Sequence, residues 1–242
     1  MPVIRPFLQK WYVRSNDRIH YFLANSHHVR RRIRRCYDRE AEVIHPPVDT
    51  QAFDLFPGPK DYYLLVSALA PYKRVDLAIR AFKRMGKPLV IVGTGPLMTS
   101  LQKESGQNIS WLGWQSNENL KKLYGECRAF IFPGEEDAGI TPLEAQASGR
   151  PVIAFGKGGA LETIIPLDDY LERKKDFFSG IFFPEQTEES LIQAVLELEA
   201  QAHLLNPEKI RGHALTFDRQ VFKERIIKTI LEKFANRHQQ SQ

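Results

Sequence analysis

Short apolar runs alternate with amphipathic helical patterns along most of this 242-residue chain, and no other feature constrains its fold as strongly. The runs have the length of strands and cover residues 62–66, 89–92, 109–112, 129–132, 152–155 and 181–183. Between them, apolar residues recur at helical spacing, as in Val75, Ala78, Ile79 and Phe82. Runs that are apolar almost throughout are typical of strands buried on both faces. The sequence therefore predicts an α/β fold, with a doubly wound, parallel, Rossmann-like sheet over residues 59–214.

The segments on either side of this domain carry weaker signals. Residues 20–24 are consistent with a strand and residues 26–37 with a helix, and a linker rich in Pro and Gly follows at 53–60. After the domain, a final helix is predicted by apolar residues at steps of four, namely Phe222, Ile226, Ile230 and Phe234. The polar end at 238–242 is expected to be frayed.

Two carboxylates, Glu136 and Glu144, lie eight positions apart in a segment that leads from a strand into a short helix beginning near Ile140. The turn between them therefore lies at the carboxyl edge of the sheet, where open α/β sheets bind ligands. The start of a helix there offers unpaired N–H groups to an anion such as phosphate. Beside a phosphate, carboxylates are suited to accept hydrogen bonds from sugar hydroxyls. This arrangement indicates a nucleotide-sugar site.

Several motifs around these carboxylates occur together and in a fixed order. They are SALAPYKRVDLAIRAF (67–82), VGTGP (92–96), ISWLGWQSNENLKKLY (109–124), FPGEED (132–137), the Glu136-x7-Glu144 spacing with GI-x-P-L-E-A, and then GRPVIA and GGALE. This series resembles the donor-binding half of retaining glycosyltransferases of family 4. PYKRVD and FPGEEDxGI are most similar to mannosyltransferases of surface polysaccharide synthesis.

The resemblance implies the C-terminal half of a GT-B fold, in which two Rossmann-like domains face each other across a cleft. Residues 1–58 would then be a remnant of the acceptor-side domain with its linker, and 59–214 the nucleotide-sugar-binding domain. Residues 215–237 would form the closing helix, and 238–242 the tail. We expect the isolated chain to lack an acceptor domain and therefore to be inactive alone.

The resemblance also implies roles for individual residues. Glu144 would accept hydrogen bonds from the ribose, and Glu136 would face the transferred sugar. Lys73 and Arg74 would bind the diphosphate, although Ala68 stands where the family has a further arginine. The backbone amides that would cradle the sugar and diphosphate are those of Ala138, Gly139, Ile140 and Thr141, and the family usually has Phe in place of Ala138.

Four further positions lie in two loops that the resemblance places at the site. The loop containing Gly93 and Gly95 fits a tight turn beside the phosphates, because Met98 occupies the third-glycine position of a dinucleotide fingerprint. Gly113 and Trp114 lie where the family packs the nucleobase, and a core role for Trp114 is equally compatible with the sequence. We expect no cofactor and no required metal, because cations and helix dipoles can neutralise the leaving diphosphate.

The charge of the chain is concentrated at its N-terminus. The net charge is +5, and residues 1–40 contain ten Lys or Arg and three Asp or Glu. The basic cluster comprises Arg30, Arg31, Arg32, Arg34 and Arg35. It fits a solvated helix face or contact with a membrane surface, and no aromatic-interleaved or zinc-finger pattern supports nucleic acid binding. No apolar run reaches the roughly 18 residues of a membrane span, and we expect a cytoplasmic protein, peripheral at the inner face of the membrane.

The sequence thus predicts the donor-binding domain of a retaining enzyme that transfers a hexose, such as mannose from GDP-mannose, to a glycan or lipid-linked acceptor. The alternative is a non-catalytic nucleotide-binding or interaction module. For either function we expect self-association or an acceptor domain in trans. A nicotinamide-dependent dehydrogenase is disfavoured by the missing third glycine.

Overall fold

The structure, a computed structural model, describes residues 4, 6–8, 11 and 18–240, with 236–240 described by their backbone alone. Its strands are β1 (Phe22–Ala24), β2 (Ala41–Val43), β3 (Tyr63–Val66), β4 (Leu89–Val92), β5 (Ile109–Gly113), β6 (Phe130–Phe132), β7 (Val152–Phe155) and β8 (Gly180–Phe183). Its α-helices are α1 (His27–Tyr37), α2 (Val75–Met85), α3 (Met98–Glu104), α4 (Asn117–Glu126), α5 (Ile140–Ala147), α6 (Ala160–Thr163), α7 (Leu167–Leu171), α8 (Glu188–Ala200), α9 (Pro207–Leu215) and α10 (Arg219–Gln240).

The main sheet has the strand order β5-β4-β3-β6-β7-β8, and every neighbouring pair is parallel. The order reverses between β3 and β6, since β4 and β5 extend the sheet on one side and β7 and β8 on the other. This confirms the predicted doubly wound α/β fold. A separate parallel pair, β1 with β2, forms a small sheet ahead of it.

Both faces of the main sheet are buried, as the apolar runs predict. Successive residues of β7 point to opposite faces, so that Ile153 and Phe155 join one apolar cluster and Val152 and Ala154 join the other. Helices α2 and α8 cover the first cluster, and helices α4 and α5 cover the second. The catalytic or binding groups of such a domain are therefore expected where the strands end.

The chain ends differ from the sequence prediction. The sequence predicts a closing helix over 215–237 and a frayed tail over 238–242, whereas residue 215 ends α9 and α10 continues to Gln240. Residues 241 and 242 lie outside the described residues. Helix α10 packs against the small sheet, where the Thr229 hydroxyl donates to Glu42 over 2.9 Å. The helix therefore links the end of the chain to β1 and β2.

Gly180 provides a test of the sheet packing at β8. A Cβ atom added at Gly180 would lie 2.2 Å from the backbone oxygen of Val152, whereas one added at Gly212 in α9 would meet nothing within 4 Å. We expect Gly180→Ala to lower the free energy of unfolding by about 1–3 kcal/mol through overpacking. The control Gly212→Ala should raise it by up to about 1 kcal/mol through helix propensity. Urea unfolding measures both, and equal midpoints for the two variants would contradict this packing.

Candidate functional site

A cleft of about 680 Å³ opens at the carboxyl ends of the strands, where the strand order reverses. The cleft is lined by residues at the ends of β3, β4 and β6. Asn25 and Pro46 of the N-terminal region also line it. The other lining residues are Val66, Ser67, Ala68, Lys73, Val92, Gly93, Thr94, Trp114, Gln115, Asn117, Leu120, Glu136, Asp137, Ala138, Gly139, Ile140 and Thr141. The volume is in the range of small-ligand sites, and the position is that of ligands in open α/β folds.

A close ion pair joins two of the predicted site residues inside this cleft. The Lys73 ammonium lies 2.6 Å from a carboxylate oxygen of Glu136, and both side chains are about four-fifths buried. Lys73 ends the short turn after β3, and Glu136 lies in the loop after β6, so the adjacency of these two strands brings them together. The pair offers a cation and a hydrogen-bond acceptor to one ligand.

The start of α5 forms another part of the cleft lining. Gly139 has φ 73°, a left-handed conformation that favours glycine, and no side chain caps the first turn. The N–H groups at Ile140 and Thr141 therefore have no side-chain acceptor from the capping position. An anion in the cleft would lie near the positive end of this helix.

Glu144 lies one helical turn beyond Ile140 and Thr141, and it is half-buried. Its Oε2 accepts a hydrogen bond from the Tyr124 hydroxyl over 2.7 Å. Burial raises the pKa of the Glu144 carboxyl, and the hydrogen bond from Tyr124 opposes that rise. Glu144 and Tyr124, on α5 and α4, both lie outside the described lining of the cleft, one helical turn beyond Ile140 and Leu120, which line it.

Of the other predicted site residues, some line the cleft and others do not. Gly93 lines the cleft, whereas Gly95 and Gly113 are outside its described lining. Trp114 lines the cleft and is 77% exposed, which excludes the core role left open by the sequence. Ala68 also lines the cleft, so the position that carries an arginine in the resembling family faces the ligand space here without a charge.

Arg74 is outside the described lining of the cleft, although it follows Lys73 in sequence. Its backbone is left-handed, with φ 53°. Its guanidinium donates to Gln186 over 3.1 Å and to Asp76 over 3.3 Å. The structure therefore brings Lys73 but not Arg74 to Glu136.

The N-terminal segment forms a second border of the cleft, which the sequence did not predict. Arg32 donates two hydrogen bonds to Asp137, over 2.8 Å and 2.7 Å, and the hydrogen bond lowers the pKa of Asp137. Arg32 is thus occupied by the loop after β6 and does not belong to a free membrane-facing cluster. Arg34 pairs with Asp38 and Glu40, while Arg30, Arg31 and Arg35 are exposed.

Glu162 ties the same segment down from the start of α6. Its carboxylate accepts from the backbone N–H groups of His27 and His28, over 2.7 Å and 2.8 Å, at the N-terminus of α1. The His45 ring lies 2.9 Å from the same carboxylate. Burial by itself raises the pKa of Glu162, but these partners outweigh it and hold the pKa below its ordinary value. Only the GGALE motif marked this residue in the sequence.

Three further findings concern the described residues. No group of three or more His, Cys, Asp or Glu is arranged there to hold a metal ion. Among the same residues, no helix is both long enough and apolar enough to cross a bilayer. Cys127 is buried and Cys36 is exposed, and both are free thiols.

Comparison with known proteins identifies the family. The family model for glycosyl transferases group 1 matches residues 49–210, which is more than half of the chain. The chain belongs to the glycosyl transferases group 1. The match covers the whole main sheet, including every lining segment of the cleft after β3, β4 and β6.

Curated relatives of this group 1 chain include two O-antigen enzymes. O-antigen chain mannosyltransferase C of Escherichia coli is 30% identical over 145 residues, which cover 57% of the chain and 37% of the relative. O-antigen chain mannosyltransferase RfbU of Salmonella typhimurium is 30% identical over 164 residues, covering 61% of the chain and 46% of the relative. The chain thus spans less than half the length of these relatives.

Solved structures share the fold of the group 1 chain at lower identity. Anabaena HepE in complex with UDP-glucose superposes with a TM-score of 0.78 at 17% identity, over 93% of this chain and 67% of that one. Sucrose-phosphate synthase from Thermosynechococcus elongatus gives 0.75 at 19% identity, over 88% and 58%. These neighbours are GT-B glycosyltransferases, so the chain has the architecture of part of a GT-B fold.

Glu162 provides a test of how the N-terminal segment is held. We expect Glu162→Gln to lower the free energy of unfolding by about 1–3 kcal/mol near pH 7, because partly buried N–H groups lose a charged acceptor. Since the folded pKa of Glu162 is depressed, its contribution is present above the unfolded pKa and is lost as pH falls through the folded value. The difference between wild type and variant should therefore narrow below about pH 4.

The control for this variant is Glu189→Gln, because Glu189 forms a surface ion pair with Arg84 and is 70% exposed. This variant should change the free energy of unfolding little, because an exposed ion pair is screened by solvent. Denaturant unfolding at several pH values measures both variants. If Glu162→Gln lowers the free energy of unfolding no more than Glu189→Gln does, Glu162 does not hold the N-terminal segment in place.

Proposed function

We propose that the chain forms the donor side of a retaining glycosyltransferase of family 4 and binds a nucleoside diphosphate sugar in the cleft after β3 and β6. The observation that carries this proposal is the Lys73–Glu136 pair facing the uncapped start of α5 at the point where the strand order reverses. Such a site combines a cation and helix N–H groups for phosphate with a carboxylate for sugar hydroxyls. Membership of the group 1 family supports it.

The residues divide the donor between them. Lys73 and the amides of Gly139, Ile140 and Thr141 bind the diphosphate and stabilise the charge that develops when it leaves. Glu136 accepts hydrogen bonds from the transferred sugar, and the Lys73 contact orients its carboxylate. Glu144 accepts from the ribose, and the exposed indole of Trp114 flanks the base. No metal is required, because the charge is neutralised by Lys73 and the helix.

The transferred sugar is a hexose, with mannose from GDP-mannose preferred. The O-antigen mannosyltransferases support mannose, and a glycan or lipid-linked acceptor fits the same relatives. We place the enzyme in the cytoplasm at the inner face of the membrane, with Arg30, Arg31 and Arg35 available to anionic lipid because they are exposed.

A second candidate function is a nucleotide-binding module without catalysis. The specific observation in its favour is Ala68, which lines the cleft where the family places a phosphate-binding arginine. Loss of one charge-assisted hydrogen bond weakens binding by about ten- to a hundredfold. The two candidates share the nucleotide site and differ in whether sugar is transferred.

We expect the chain to bind GDP and GDP-mannose in the presence of EDTA, because no metal ion is needed. UDP and ADP are measured in the same way to compare the three bases. Lys73→Ala should weaken binding by about ten- to a hundredfold, because a charged hydrogen-bond donor to phosphate is lost. The control Lys87→Ala removes a lysine paired with Glu199 near the opposite edge of the sheet and should leave binding unchanged. Calorimetry measures all three proteins. If none of the three diphosphates binds at millimolar concentration, there is no donor site.

We further expect purified 1–242 to bind donor without transferring sugar. Transfer requires an acceptor hydroxyl within about 3.5 Å of the anomeric carbon and exclusion of water. In two-domain relatives the second domain would supply this wall, so residual activity should be slow donor hydrolysis or none. Radiolabelled GDP-mannose with free-sugar and lipid-linked acceptors tests this, with an intact mannosyltransferase as positive control. Robust glycoside formation would show that the chain needs no acceptor domain.

A further inference from the structure

Tyr124 carries a buried hydroxyl group that has no role in the donor site as proposed above. It lies on α4, is 0% exposed, and donates to Glu144 Oε2 over 2.7 Å. Its ring packs against Phe53 and Phe130, with centroid distances of 5.8 Å and 5.5 Å. A ring enclosed in this way has one position for its hydroxyl, so the hydrogen bond also restrains the carboxylate that accepts it.

Neither residue of the pair lines the cleft, but each lies on a helix whose preceding turn does. On α4, Tyr124 follows Leu120 by one turn, and on α5, Glu144 follows Ile140 by one turn. Leu120 and Ile140 both line the cleft. Residues four apart lie on the same face of a helix, so the pair continues the two helix faces that border the cleft.

The two oxygens of Glu144 have different surroundings. Oε2 accepts from Tyr124, whereas the protein groups described by the structure give Oε1 no hydrogen-bond donor. A half-buried carboxylate with an open oxygen favours a ligand that donates hydrogen bonds. Vicinal hydroxyls of a ribose match that requirement, while an anionic phosphate does not.

We propose that Tyr124 is a positioning residue that holds Glu144 by Oε2 and presents Oε1 to the ribose, so that the pair selects ribonucleotides over deoxyribonucleotides. This rests on the proposed nucleotide site and adds a determinant of its specificity. Without the hydroxyl, the carboxylate is free to rotate and its remaining hydrogen bond to the ligand weakens. Phosphate and base contacts are unaffected, because Tyr124 touches neither.

The test compares GDP, UDP and ADP with their 2′,3′-dideoxy forms by calorimetry. For wild type we expect the ribose form of the binding nucleotide to be favoured by about ten- to a hundredfold. In Tyr124→Phe this ratio should fall to about threefold or less, while affinity for the dideoxy form stays within about twofold of wild type. Both expected values follow because the variant loses the hydrogen bond to Glu144, and Glu144 contacts the ribose hydroxyls alone.

Tyr63→Phe is the matched control. The Tyr63 hydroxyl also donates to a carboxylate, Glu199, over 2.8 Å, and the residue is 2% exposed, but it lies in β3 and belongs to a cavity separate from the cleft. This variant should keep the wild-type preference for ribose. If Tyr63→Phe lowers that preference as much as Tyr124→Phe does, the effect is a general loss of stability and the proposal is wrong.

A double-mutant cycle separates positioning from packing. Glu144→Gln should remove most of the ribose preference, and adding Tyr124→Phe to it should change the ratio no further, because Tyr124 acts through Glu144. An additive loss overturns the proposal, as does a Tyr124→Phe protein with the wild-type ratio. If wild-type protein binds none of the diphosphates, the donor site itself is absent. Binding with no ribose preference in wild type leaves the donor site standing and refutes the role of Tyr124.

Discussion

Burial of both faces of the six-stranded sheet is the constraint on which the remaining structure depends. Alternate residues of each strand enter different apolar clusters, and helices close both. Polar chemistry is therefore excluded from the faces and collects where the strands end. Because all six strands are parallel, their carboxyl ends lie at one edge, and reversal of the strand order between β3 and β6 opens a cleft there.

Each carboxylate around the cleft is held in place by a hydrogen-bond donor from another part of the chain. Glu136 is held by Lys73, Asp137 by Arg32, Glu144 by Tyr124, and Glu162 by the first turn of α1. Partly buried carboxylates are costly to leave without donors, so each one constrains the element that supplies its partner. The loop after β6 is consequently attached both to the turn after β3 and to the N-terminal segment. A ligand in the cleft meets groups that are already oriented.

The chain spans less than half of the O-antigen mannosyltransferases that it resembles. Family membership and the GT-B architecture are established by the match and by the fold, while donor, acceptor and transfer remain proposals. Ala68 marks the clearest chemical departure, since it lies in the cleft at a position where the resembling family has a cation. The proposed donor site therefore relies more heavily on Lys73 and on the start of α5.

The alternation of strands and helices follows from local sequence, because apolar periodicity and helix signals such as Thr187, which caps α8, act over a few residues. The sequence also placed Lys73 and Glu136 at one edge, since parallel strands share their direction. It did not determine where long side chains point. Arg74 follows Lys73 directly but is drawn to Gln186, 112 positions away, and Arg32 joins Asp137 across 105 positions. Such partners meet because distant segments of the chain pack together, and local sequence carries no signal for that packing.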